Sequence, residues 1–219
     1  MQTISIINPN SSTEMTAGMA KALAPLEMPD GPRFAFRTSE KGPSAVASDE
    51  DLAHAAPPVR DLIAADDASA AFIIACYGDP GIGLARQITR RPVLGIGGAA
   101  MATAMTLGER FGVISISEWS IGFHARDMAA RGVASRCAGD RPLGLNVAQA
   151  STDGAIDRIC EVARQLRDED GADVLITACA GMSGHLAALE REVGLPVVDP
   201  LRAAAAMAIG IVRARRTAP

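Results

Sequence analysis

At 219 residues, 48% of them hydrophobic and 21% charged, the chain can bury one large core or two small ones. A formal net charge of -4 argues against a general nucleic-acid binder, which carries a basic excess. No apolar run is long enough to cross a bilayer, and the opening MQTISIINPN lacks a basic leader region, so a cytoplasmic protein without membrane or nucleic-acid partners is expected.

In chain order, the apolar run Thr3–Ile7 predicts a strand that ends at the turn residues Asn8-Pro9-Asn10. Met15, Met19 and Leu23 then recur at four-residue spacing and predict a helix. A short strand over Phe34–Arg37 is expected within the looped stretch 31–46. Ser48 followed by Asp51 resembles a capping box, opening a helix that Pro57-Pro58 must interrupt or restart. Strands are predicted over Ala71–Ala75, Pro92–Ile96, Phe111–Ile116, Val174–Ala178 and Pro196–Val198. Between Phe111–Ile116 and Val174–Ala178, Ile156, Ile159, Cys160, Ala163 and Leu166 draw one helical stripe, with Gly171 as its stop. Short, continuously apolar strands alternating with helices indicate parallel α/β architecture covered on both faces.

The pattern occurs twice. Strand, Asn8-Pro9-Asn10, helix, then strand, Cys76-Tyr77-Gly78 and "RPVLGIGGAAM" make the first copy. Strand, Ser115-Ile116-Ser117, helix, then strand, Cys179-Ala180-Gly181 and "LPVVDPLRAAA" make the second. Cys76 precedes Pro92 by 16 residues and Cys179 precedes Pro196 by 17. Ligands of open α/β sheets bind beyond the C-terminal ends of the strands, so two such units are expected to share a cleft with one thiol on each wall.

The four cysteines lack C-x-x-C spacing, and none pairs with His54, His124 or His185 at zinc-ligand spacing, so free thiols and no metal are expected. Asp79-Pro80 resembles an N-cap and first helical residue after Cys76, and Ser183 could cap the helix after Cys179. A helix start favours the thiolate. One thiolate and one thiol on opposite faces of a carbon acid constitute a racemase or epimerase that needs no cofactor. Its enolate requires donors, for which the turns 8–12 and 115–117 are placed at the matching strand ends. Free cysteine is more often a small buried hydrophobe than a catalyst. That reading suits Cys160, on the helical stripe, and Cys137, which lacks a comparable setting; the repeat lifts Cys76 and Cys179 above it.

On these residues the chain resembles the aspartate/glutamate/hydantoin racemase superfamily, and within it the hydantoin (allantoin) racemase branch. The resemblance is carried by "INPNSS" at 7–12, "ACYGDPG" at 75–81, "RPVLGIGGAA" at 91–100, "RFGVIS" at 110–115, "TACAGM" at 177–182 and "GLPVVD" at 194–199. It implies two pseudo-symmetric Rossmann-like (flavodoxin-like) lobes, residues 1–97 with 204–219 and residues 98–203. It also implies a homo-oligomer and cofactor-independent racemisation of a small molecule. Cys76 and Cys179 would be the acid/base pair. Asn8, Asn10, Ser11, Ser12, Gly78, Asp79 and Gly181 would hold the substrate, with Ser117 added from the strand-end argument. Gly98 stands where the branch often has an acidic residue, so that side chain's role does not transfer. Ala180-Gly181 replace the Thr-His of glutamate racemases, which favours a neutral five-membered cyclic imide over free aspartate or glutamate. Having both cysteines argues against arylmalonate decarboxylases, whereas a maleate isomerase stays open.

Other motifs compete. Gly95-x-Gly97-x-x-Ala100 follows a strand and opens a helix, with Glu118 lying 23 residues after Gly95 near a strand end, as a nicotinamide oxidoreductase requires. A non-catalytic small-molecule binder is a further alternative, though it has no need of two thiols. His185 reads as a partly exposed helix histidine, His124 as packing near Trp119 and Phe123, and "RQLRDEDGAD" as a solvated helix end.

Overall fold

The computed structural model describes residues 2–150 and 152–216. They form two compact units: the chain up to Ala99 together with that from Leu201 onward, and Ala100–Pro200.

The first unit takes its sheet from β1 (Thr3–Asn8), β2 (Arg33–Thr38), β3 (Ala71–Ile74) and β4 (Val93–Gly95). Helices α1 (Thr13–Leu23), α2 (Asp49–Ala64) and α3 (Ile82–Ile88) connect them, and α4 (Ile96–Leu107) leads into the second unit. The second unit repeats the plan with β5 (Phe111–Ser115), β6 (Cys137–Pro142), β7 (Val174–Thr177) and β8 (Val197–Val198). Its helices are α5 (Glu118–Ala130), α6 (Val147–Ala150), α7 (Ile156–Asp168) and α8 (Leu186–Val193); α9 (Pro200–Arg216) follows β8. The strand orders are β2-β1-β3-β4 and β6-β5-β7-β8, and every pairing is parallel. The two orders are the same flavodoxin-like arrangement, so the repeat read from the sequence is a repeat of topology.

The inner strands are mostly apolar because both faces are covered. β3, β5 and β7 are buried at every residue. In the first unit Val59 and Ile63 of α2 pack on Ile7, Phe72 and Ile74. In the second, Ile159, Val162 and Leu166 of α7 pack with Leu175 and Leu189, each burial contributing about 1.5–3 kcal/mol before entropy is counted. Cys160 belongs to that same core, as its place on the stripe requires. Gly171, left-handed at φ +74°, turns the chain after α7.

Three local expectations are corrected. First, α2 runs unbroken through Pro57-Pro58. The carbonyls that lose a partner belong to Ala53 and His54, both exposed, where water can replace the missing donor. Its start is as read: Ser48 Oγ accepts from Asp51 N at 3.0 Å. Second, β6 was not expected, since CAGDRP is poor in strand-forming residues. It forms by pairing with β5 across a bulge at Phe111/Gly112 and takes the edge place that β2 holds in the first unit. Third, the stretch 164–173 is only partly a solvated helix end. Asp170 accepts from Arg141 Nε at 2.7 Å, and Asp173 accepts from the backbone N–H groups of Glu109 and Arg110 at 2.9 and 3.0 Å.

Candidate active site

Cys76 stands two residues beyond the end of β3, and Cys179 two residues beyond the end of β7, the matching strand of the other sheet. Both thiols are half-buried. Their surroundings differ within this common plan. Cys76 opens a turn closed by a hydrogen bond from Asp79 N to its own carbonyl at 2.9 Å, with Tyr77 and Gly78 at the corner. The helix that follows is capped by Gly81, left-handed at φ +76°, so Asp79 is not its N-cap and Pro80 not its first residue. Cys179 instead leads directly into the 3-10 segment Ala180–His185, and Met182 N donates to its carbonyl at 3.1 Å. Ser183 and Gly181 lie inside that segment, so Ser183 does not cap α8; its N-cap position is His185.

Asp79 does something else. It is 3% exposed, adopts a left-handed backbone (φ +47°), and its Oδ1 and Oδ2 accept from Gly97 N and Gly98 N, each at 2.9 Å. Those N–H groups belong to the first turn of α4. The glycines of the G-x-G-x-x-A motif make room for this contact. A Cβ on Gly95 would lie 2.1 Å from the Asp79 carboxyl carbon, and one on Gly97 would lie 2.1 Å from the Tyr77 carbonyl oxygen. The anion position a dinucleotide pyrophosphate would need at this helix therefore holds the protein's own carboxylate. Glu118, the candidate ribose ligand, opens α5 in the other unit and does not end a strand of the same sheet. The oxidoreductase reading fails on both counts.

The β1–α1 loop braces itself. Asn8 is fully buried; its Nδ2 donates to Asn10 Oδ1 and the Ser12 carbonyl at 2.9 Å each and approaches Thr16 Oγ1 at 3.1 Å. Asn10 Oδ1 also accepts from Ser12 N at 2.9 Å, and Ser12 Oγ caps α1 by accepting from Met15 N at 3.2 Å. Ser11 docks on the next loop, its N–H donating to the Pro43 carbonyl at 2.9 Å. The motif's polar atoms thus shape the loop at the end of β1.

The second unit has its own buried polar cluster at the corresponding strand end, and sequence reading missed it. His124 Nδ1 lies 2.8 Å from Asp140 Oδ2 and 3.1 Å from Ser115 Oγ, and Ser115 Oγ donates to Asp140 Oδ1. An ionised carboxylate only accepts, so Nδ1 carries the histidine's proton when Asp140 is ionised. The corresponding elements β1, α1 and β2 carry the first unit's cluster, where Thr16 Oγ1 meets Thr38 Oγ1 at 2.7 Å beside Asn8. Ser117, at the N-cap position of α5, does not cap; its hydroxyl lies 3.3 Å from that of Ser120. His185 is buried rather than partly exposed, and its Nε2 has no hydrogen-bond partner among the described residues.

The remaining thiols are chemically quiet. Burial, with the Asp140 carboxylate nearby, pushes Cys137 up to about 11, and burial with Glu192 raises Cys160. Among the described residues no group of three or more His, Cys, Asp or Glu could hold a metal, and no helix is long and apolar enough to cross a membrane.

Comparison with known proteins agrees with this arrangement. The hydantoin racemase of Paenarthrobacter aurescens is 31% identical over 215 residues, 95% of this chain and 90% of that one. Allantoin racemase from Pseudomonas fluorescens superimposes with a TM-score of 0.92 at 28% identity, covering 98% of this chain and 92% of that one. Allantoin racemase from Klebsiella pneumoniae gives 0.91 at 26%, covering 98% and 89%. The family described as Asp/Glu/Hydantoin racemase matches residues 4–208. With two sheets of one topology, a thiol beyond the third strand of each and a family match across nearly its whole length, the chain belongs to the Asp/Glu/hydantoin racemase family, on the hydantoin and allantoin racemase branch, and is an isomerase.

Proposed function

We propose that this isomerase racemises a 5-substituted hydantoin or a closely related cyclic ureide without a cofactor, using Cys76 and Cys179 as the acid/base pair. The reading is carried by the matched placement of the two thiols, each two residues past the third strand of its sheet. Cys137 and Cys160, with raised thiols, offer no competing pair. The substrate class is supported by the hydantoin and allantoin racemases to which the chain is similar.

The chemistry balances with two sulfurs. One thiolate takes the C5 proton; the C–H bond breaks, an S–H bond forms, and the electron pair moves into the enolate of the adjacent carbonyl. The second thiol delivers its proton to the opposite face of C5 and is left as thiolate. The opposite enantiomer runs the same steps with the roles exchanged. Backbone N–H groups and the Ser117 hydroxyl stabilise the enolate oxygen, with Gly78 and Gly181 as neighbours of the thiols in the chain. Asn8, Asn10, Ser11 and Ser12 shape the loop that closes the substrate's surroundings in the first unit. The enzyme works as a homo-oligomer, which light scattering of the purified chain tests.

The deciding experiment incubates single enantiomers of 5-substituted hydantoins, allantoin, aspartate and glutamate in deuterium oxide without added cofactor. Deuterium at the α-carbon with decaying optical rotation is expected for the cyclic ureides. Exchange confined to the free amino acids, or turnover confined to maleate in a parallel incubation, would replace the substrate assignment. No exchange by folded protein with free thiols would reject the racemase reading.

A further inference from the structure

We infer that Asp79 is the positioning residue of Cys76, holding the thiol-bearing turn on the N-terminus of α4, and that its carboxylate does not contact substrate. The inference rests on the two-thiol reading above and deepens it.

The turn Cys76–Asp79 is four residues long and closed on itself by the Asp79 N to Cys76 carbonyl bond. The turn is fastened to α4 at two places. Both Asp79 oxygens accept from the first turn of that helix, at Gly97 and Gly98. The Tyr77 carbonyl packs so closely on Gly97 that a single added methyl would overlap it at 2.1 Å. Gly95 leaves the same kind of space for the carboxyl group itself. Asp79 also holds a left-handed backbone, a conformation that non-glycine residues adopt rarely and that Asp and Asn tolerate best. A buried carboxylate, 3% exposed, with each oxygen accepting from a backbone N–H is turned toward the helix rather than presented to a ligand. It can set where Cys76 stands. The helix dipole and two charge-assisted hydrogen bonds hold the turn rigid. In the second unit Cys179 needs no such strap, because its 3-10 segment begins at the very next residue. The two thiols are thus held by different devices on one topology.

Two variants separate this role from the others. Asp79→Asn keeps size and tolerates the left-handed backbone, but turns an NH2 group toward one of the two backbone donors. Asp79→Gly keeps the backbone angle without strain and leaves both donors bare. The expected result is a kcat for the hydantoin racemisation lowered about tenfold to a hundredfold with KM within about threefold, since small misplacements of a reacting group cost that much. Alkylation of Cys76 by iodoacetamide, followed by peptide mass spectrometry, changes rate several-fold in both variants while Cys179 does not. Formate at tens of millimolar restores part of the Asp79→Gly loss by filling the vacated carboxylate position. A KM raised tenfold or more at unchanged kcat would make Asp79 a substrate ligand and overturn the inference. So would lowered thermal stability with kcat and Cys76 alkylation both unchanged, which would make it purely structural. The alkylation arm does not need turnover. If the wild-type chain exchanges no substrate proton, the functional reading fails while the coupling of Asp79 to Cys76 is still decided.

Discussion

His124 Nδ1 lies 2.8 Å from Asp140 Oδ2, with both side chains buried and Ser115 joined to each of them. The strand end that precedes the β5–α5 turn is thereby tied to the first helix and to the edge strand. The cluster does for the second unit what Asn8, Thr16 and Thr38 do for the first.

Removing one partner of such a pair leaves the other buried without compensation. Asp140→Ala is expected to cost about 3 kcal/mol in urea unfolding, and His124→Ala a similar amount. The double variant should cost clearly less than the two together. Full additivity would show that the residues do not act as a pair.

Cys76→Ala and Cys179→Ala are each expected to lower racemisation by at least about a thousandfold, because each direction requires both an acid and a base. Circular dichroism confirms the fold, and polarimetry reads the loss. Substantial turnover in either variant contradicts the two-thiol mechanism. Cys160→Ala should retain full turnover and lose only about 1–2 kcal/mol of stability, as removal of a small buried group does.

Thiol reactivity should rank the four cysteines independently of turnover. Alkylation proceeds through the thiolate, and free cysteine ionises near 8.5. Cys137, pushed up to about 11 by burial and by Asp140, should react at pH 8 on the order of a hundredfold more slowly than free cysteine. Cys160, also raised by burial, should be slow too. Mass spectrometry of partially labelled protein reads the order, and fast labelling of Cys137 in folded protein would contradict its buried environment.

Acid should weaken the second unit through Asp170. The hydrogen bond from the Arg141 guanidinium holds this carboxyl below the usual value near 3.8, against the opposing effect of burial. A carboxyl depressed in the folded state stabilises it above its unfolded pKa, and that contribution is lost as pH falls through the folded value. Asp170→Asn should therefore be less stable than the parent at pH 6, by about 1 kcal/mol for a partly exposed pair, and the difference should shrink toward pH 2. Urea midpoints across that range check it; a gap that stays constant or grows in acid contradicts the linkage.

The sheet, the repeat and the two thiols were legible because each is written in consecutive residues. AFII and VLIT are buried at every position and almost wholly apolar because their strands are covered on both faces, and a cysteine follows each at the same distance. Ser48 and Asp51 are three residues apart and cap a helix without outside help. The strand β6, the His124–Asp140 pair and the strap at Asp79 were not legible. CAGDRP becomes a strand only when β5 presents its hydrogen-bonding edge. His124 and Asp140 stand 16 residues apart, and Asp79 meets backbone donors 18 and 19 residues away. The glycines that looked like a nucleotide fingerprint serve this last contact, which no local pattern distinguishes from the other use. Apolar periodicity acts over a few residues and marks the elements directly. A buried polar contact depends on strand order and register, so only the assembled sheets decided which charges meet.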